Sequence, residues 1–221
     1  MMRELLENLR RRPHGPAEWI ADGVRLLAVA SIVVAGIGWG VQGALSLAFV
    51  TVGMLLPRAL GVRPAFDIAF GIVALVSVWS SVTDLYITVK WWDLPMHFLL
   101  TGLVAALCYV LLVRFGVVAD HETLRHPLLS ATIVTTALGT SFAALWELWE
   151  WFAKNYVDHT TYVGYRDTIG DMAQGVLGAL LAGLLMRVLT AHPRRAGGQA
   201  DAATAAGRAA ATPDRPPVRP A

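Results

Sequence analysis

Long apolar runs separated by short polar breaks fill most of the chain. They predict six membrane-crossing helices at about 24–40, 43–60, 67–88, 94–114, 128–153 and 168–190. A hydrocarbon core of about 30 Å takes roughly 20 apolar residues to cross as a helix, with about 17 as the lower bound, and each run meets it. Only Trp39, Gly40, Gln42 and Gly43 separate the first two runs. Read as one helix, residues 24–57 would be about 50 Å long, well beyond that core, so the pattern predicts a tight hairpin.

The two ends read differently. Residues 2–12 place Leu5, Leu6 and Leu9 on one side of a short helix with arginines around them, the pattern of a helix lying on a membrane surface. The apolar stretch that follows runs on without a small-residue cleavage site, so it predicts an uncleaved first span rather than a signal peptide. From about residue 193 the chain is rich in Ala, Pro, Gly and Arg and loses all apolar periodicity, which predicts disorder. The expected organisation is an all-α polytopic bundle. A cytoplasmic segment spans 1–22, a six-span membrane domain 23–191 and a disordered cytoplasmic tail 192–221.

Composition agrees. The 221 residues are 56% hydrophobic and 15% charged, against about 25% charged in soluble domains. The lipid bilayer is therefore the first expected partner. A net charge of +2 with no basic aromatic patch gives no reason to expect nucleic acid. Cys108 is the only cysteine and falls mid-span, which excludes an intrachain disulfide and a thiolate metal cage.

Charge asymmetry sets the expected direction. Arg3, Arg10, Arg11, Arg12, Arg25, Arg58, Arg63, Arg114, Arg125 and Arg187 share one side with the tail arginines, against Lys90, Lys154 and Arg166 on the other. Positive loops face the cytoplasm, so both termini are expected there. Trp39, Trp79, Trp91, Trp92, Trp146, Trp149 and Trp151 fall near the outer span ends, as an aromatic belt does, with Trp19 alone inside.

Against this apolar background, three helix-spaced pairs of ionisable residues stand out: Asp93/His97, Glu147/Glu150 and Asp167/Asp171. The topology puts all three at the outer face. Asp93 can be read as an N-cap with Pro95 in the first turn, and Asp167 as a cap of the last span. His97, a turn deeper, continues into Thr101, Ala105 and Cys108 along one face. Glu147 and Glu150 lie near a helix C-terminus, where the dipole disfavours anions, on an expected face with Thr136, Thr140 and Ala143. Asp171 precedes Gln174 and a small-residue surface of Gly175, Ala179 and Gly183, which lets another helix approach closely. On the outer side the acids, including Asp84 and Asp158, outnumber the three bases and invite a cation. Carboxylates with one imidazole suit a divalent metal ion such as Mg²⁺, Mn²⁺, Ca²⁺, Zn²⁺ or iron. The expected ligands are His97, Glu147, Glu150, Asp171, Asp167 and Asp93, with Glu147, Glu150 and Asp171 as the catalytic candidates.

The motifs W-D-x-x-x-H-F (Trp92–Phe98), E-x-x-E-W (Glu147–Trp151) and D-T-x-x-D-M (Asp167–Met172) resemble those of the YjdF-type bacterial inner-membrane proteins. A looser likeness exists to VanZ-like membrane proteins, from which Gln174 departs by standing where an asparagine is expected. The resemblance implies a multi-pass fold in the bacterial inner membrane with a shared polar site, and it brings no reaction with it. Three functions fit the pattern. One is a metal-dependent enzyme acting on a lipid or envelope precursor. Another is a small transporter that moves a proton, cation or solute. The third is a structural protein whose acids pair with Lys90, Lys154 and Arg166 as a helix clamp.

Overall fold

A computed structural model describes residues 2–157, 159 and 163–190. The expected tail disorder over 192–221 and Asp158 lie outside these residues. Among the described residues every regular element is helical. In chain order these are α1 (Met2–Arg10), α2 (Pro16–Gly53), α3 (Leu55–Leu60), α4 (Pro64–Val82), α5 (Leu85–Thr88), α6 (Asp93–Arg114), a 3-10 turn (His121–Thr123), α7 (Pro127–Tyr156), α8 (Tyr165–Leu184) and α9 (Met186–Thr190). Four stretches are long and apolar enough to cross a membrane by length and composition: Pro16–Leu60, Pro64–Val82, Asp93–Arg114 and Pro127–Tyr156.

The first of these stretches is not straight. Gly40 has φ 72° and ψ −165° in the middle of α2, a conformation open essentially only to glycine. The chain folds back there. Arg25 Nε donates to the Met54 carbonyl at 3.1 Å, although a continuous helix would hold those residues about 43 Å apart. Glycines let the two arms meet, since a Cβ on Gly36 or Gly43 would lie 3.5 Å from the Ala44 or Ala35 Cβ.

The remaining helices form two packed groups that share α6. The first arm of α2 lies on α4, where a Cβ on Gly71 would come within 3.1 Å of both Val24 and Met54. Helices α6, α7 and α8 pack on one another through small residues. A Cβ on Gly102 would sit 2.6 Å from the Gly178 carbonyl oxygen, and one on Gly183 2.7 Å from Thr132 Cα. Such contacts replace the hydrophobic effect, which gives helices no reason to associate inside lipid. The small-residue surface read from Gly175, Ala179 and Gly183 is thus the buried face of α8.

Several helix ends differ from the sequence reading. α4 stops at Val82, because Asp84 turns into the left-handed region at φ 57° and a separate turn, α5, follows. α8 ends at Leu184, with Leu185 separating it from α9. α1 docks by its half-buried side on α3, with Asn8 Nδ2 donating to the Ala59 carbonyl at 2.9 Å. Leu5 and Leu9 belong to that side while Leu6 is exposed, so the three leucines do not share one environment.

Candidate functional site

The register of the three-helix group builds the site. Gly175 of α8 is the pivot, because a Cβ there would lie 3.0 Å from Ala143 of α7 and 3.2 Å from Thr101 of α6. One turn from each of these contacts stand Asp171, Glu147 and His97. Residues four apart share a helix face, so the glycine contact sets all three side chains at one level. All three are buried, with relative exposures of 1%, 7% and 8% respectively.

Neither capping role expected of the aspartates is realised. Trp92 occupies the N-cap position of α6 and Gly164 that of α8, and no side chain caps either helix. Asp93 instead reaches one turn along α6, where its Oδ1 lies 3.3 Å from His97 Nε2. Asp93, His97 and Asp171 each offer one ligand atom within 4.8 Å of one another. Ligands about 2.0–2.6 Å from a shared cation lie up to roughly 4–5 Å apart, so the spread is of the right size. Asp171 Oδ2 and Glu147 Oε1 are buried without any hydrogen-bond partner, which is costly for a carboxylate unless something else satisfies it.

The other expected ligands stand further out. Asp167 and Glu150 are half-buried and outside the tight group, and Glu147 lies beside it rather than in it. All of the carboxylates are nevertheless within electrostatic range of the His97 ring. The polar face expected on α7 is shifted. The buried stripe runs Ala131, Thr135, Gly139, Ala143, Glu147, whereas Thr136 and Thr140 turn their hydroxyls onto their own helix, donating to the Thr132 and Thr136 carbonyls at 2.7 and 2.9 Å.

Two neighbours reach the acids in ways the sequence did not indicate, Trp146 reading there only as part of the aromatic belt. Trp146 Nε1 donates to Glu150 Oε1 at 2.9 Å, a contact whose only sequence signal is the spacing of four. The Thr168 side chain approaches the Glu147 carboxylate. The basic residues of the clamp reading stand off from the acids, although Lys154 is within electrostatic range of Asp167. Among the described residues none of Lys90, Lys154 and Arg166 forms an ion pair with any of the six, and Lys154 Nζ donates to the Val163 carbonyl at 2.9 Å instead.

A second polar cluster was missed altogether. At the opposite end of the bundle, Arg25 donates to Asp22 at 2.8 Å and to both carboxylate oxygens of Asp67 at 2.5 Å. Arg58 donates to Asp22 at 2.6 Å and to the Arg11 carbonyl at 2.6 Å. In the sequence these arginines counted only as positive charges near span ends, and nothing in one chain pairs residues 25 and 67. Their donors are satisfied, which separates this cluster from the first: it orients helices and leaves no acceptor aimed at a ligand.

No curated protein and no solved structure matches the chain. One family model, described as a predicted membrane protein (DUF2238), matches residues 19–192 and so takes in every residue of the candidate site. The YjdF-type likeness carried by the three motifs agrees with it. The chain belongs to this DUF2238 family of membrane proteins.

Proposed function

We propose that the protein is a metal-dependent enzyme of the bacterial inner membrane acting on a lipid or envelope precursor. In this reading six spans cross the bilayer, counting the two arms of the Pro16–Leu60 stretch and α8, with both termini cytoplasmic and the site at the outer face. The observation that carries it is the pair of buried, partnerless oxygens, Asp171 Oδ2 and Glu147 Oε1, beside the Asp93–His97–Asp171 group. A divalent cation is the simplest ligand for such a donor set. Asp93, His97 and Asp171 hold it, Asp167 and Glu150 add negative charge around it, and Glu147 is placed to take a proton from a water molecule that the cation activates.

The two competing readings meet specific difficulties. A transporter needs a path beyond the site, yet the next layers are closed. A Cβ on Gly139 would overlap the Ala179 side chain and lie 3.3 Å from Ala105. A clamp needs bases against the acids, and the ion pairs it requires are missing among the described residues.

Elemental analysis of the protein purified into nanodiscs, wild type beside the Glu147→Ala/Asp171→Ala double variant, tests the proposal. A near-stoichiometric divalent metal in the wild type that is lost from the variant is the expected result. No metal in either, after purification without chelator and attempted reloading, rules the metal site out.

A further inference from the structure

We propose that the outward face of α1 binds the anionic phospholipid headgroups of the leaflet at the N-terminal end of the bundle. This face lies far from the candidate site. Glu4 of α1 pairs with Arg114, which the full length of α6 separates from Asp93, so the binding owes nothing to a bound metal.

One side of α1 is already taken up by protein. Leu5 packs against the apolar core. Arg114 Nη1 donates to Glu4 Oε1 at 2.8 Å, and Asn8 Nδ2 donates to the Ala59 carbonyl at 2.9 Å. The bend between α1 and α2 is fixed as well. Arg58 donates to the Arg11 carbonyl at 2.6 Å, while the Glu18 carboxylate accepts from Arg11 at 2.8 Å and from the His14 backbone N–H at 2.9 Å. A helix of 9 residues is marginal by itself in water. Held in this way it keeps its shape before any lipid arrives, and binding costs little ordering entropy. The side with Leu5 and Leu9, which the sequence marks for a membrane, is thus turned onto protein, and the opposite side is left over.

That opposite side carries Met2, Arg3, Leu6, Glu7 and Arg10, all exposed, and the exposed Arg12 follows just past the helix end. Arg3 and Arg10 stand two turns apart, about 10 Å along the axis. The acids nearby are engaged elsewhere: Glu4 with Arg114, Glu18 with Arg11, and Asp22 with Arg25 and Arg58. Only Glu7 shares the outward face, 4.0 Å from Arg3 with both side chains largely in solvent, where such a pair is worth little. Among the described residues Arg10 and Arg12 form no ion pair. Three arginines against one glutamate leave a surplus of two positive charges.

The surplus calls for an anion, and the apolar residues among the arginines select its kind. Met2 and Leu6 are exposed between them, as are Trp19 and Ile20 in the first turns of α2. Arginine interleaved with large apolar side chains suits the boundary between headgroups and acyl chains, where a guanidinium takes phosphate oxygens in a bidentate grip. An acidic protein surface would match the arginines and not the apolar residues. Residues 11–15 also tie α1 to a stretch long and apolar enough to cross a membrane, which keeps the face close to the headgroups.

The test titrates full-length protein in micelles of an uncharged detergent with phosphatidylglycerol or phosphatidylcholine and counts bound lipid by native mass spectrometry. Phosphatidylglycerol is expected to bind on the order of tenfold more tightly, the effect of uncompensated basic residues at an anionic surface. Arg3→Gln/Arg10→Gln/Arg12→Gln should bring the two affinities together. All three side chains are exposed, so hydrogen exchange of the α1 amides should stay as in the wild type and show that α1 remains docked. Arg125→Gln, which removes an exposed arginine on the α6–α7 connection at the same end, should leave the preference intact. Equal affinities in the wild type overturn the proposal. So does a preference that survives the triple variant, or one that Arg125→Gln removes as fully, since charge at that end and not the α1 face would then be the cause. If the triple variant loosens α1, Arg10→Gln alone decides: a preference reduced about threefold is expected, and an unchanged one overturns the proposal.

Discussion

Gly178 of α8 passes the Phe98 carbonyl of α6 so closely that no Cβ fits between the two backbones. Phe98 follows His97, and Gly178 lies two turns below Asp171 on the same helix. This backbone contact therefore sets the height at which His97 and Asp171 face each other. Gly178→Ala should push α6 and α8 apart, lowering stability by about 1–3 kcal/mol, as overpacking does, and emptying the metal site. Gly170→Ala is the control, because a Cβ there meets only Leu94 Cδ2 at an ordinary 3.4 Å. Thermal unfolding and metal content of both variants in nanodiscs check the expectation; a Gly178→Ala protein that keeps both would remove the register argument.

Asp171 is 1% exposed and has one oxygen without a partner, so without metal its charge is a burden on the fold. Asp171→Asn keeps the size and removes the charge. The metal-free variant should unfold at a higher temperature than metal-free wild type, and added divalent cation should no longer stabilise it. The wild type should gain about 2.7 kcal/mol at a free metal concentration one hundred times its Kd. A metal-free variant less stable than wild type would mean that the carboxylate has a partner in the protein.

These two positions also mark what the sequence could and could not disclose. Apolar runs predict buried and lipid-facing helices because a bilayer imposes length and hydropathy on any span, so each predicted run falls largely in helix, and four stretches are long and apolar enough to cross. The glycine stripe of α8 was legible for the same reason: only small residues let helices touch in lipid. Rotation about an axis was less legible. Thr136 and Thr140 look like polar lining, yet their hydroxyls bond to their own helix and the buried face is that of Thr135 and Gly139, close enough in the helical wheel that residue type alone does not choose between them. Capping was misread in the same way, since Asp93 and Asp167 have N-cap chemistry but lie inside their helices. The pairing of Arg25 with Asp67 crosses two helices, and local patterns hold no information about such a contact.

Gly40 should be irreplaceable at its turn. Its φ of 72° with ψ −165° belongs to a region that costs another residue about 1–3 kcal/mol. Gly40→Ala should lose stability of that order, whereas Gly38→Ala, with a helical backbone and nothing within 4 Å of an added Cβ, should be neutral or slightly stabilising. Denaturant or thermal unfolding of the pair decides it, and equal behaviour would show that the turn tolerates a side chain.

The buried arginine at the far end should behave in the opposite sense to Asp171. Arg25 is 8% exposed, and its guanidinium donates to Asp22, Asp67 and the Met54 carbonyl. Removing it leaves Asp67 without the cation that offsets its burial, so Arg25→Met should cost about 3–5 kcal/mol, the range for breaking a buried pair. Asp67→Leu should be costly for the matching reason, because Arg25 would keep only Asp22 as its anion. In the double variant neither uncompensated charge remains, and an apolar pair in lipid needs no hydrogen bonds. Arg25→Met/Asp67→Leu should therefore be more stable than the sum of the single losses implies. A double-mutant cycle by thermal unfolding measures the coupling. Metal content should stay at the wild-type level throughout, since this cluster sits at the other end of the helices. Additive losses would mean that the two residues contribute separately. A loss of metal would mean that the α2–α4 packing supports the site from across the bilayer.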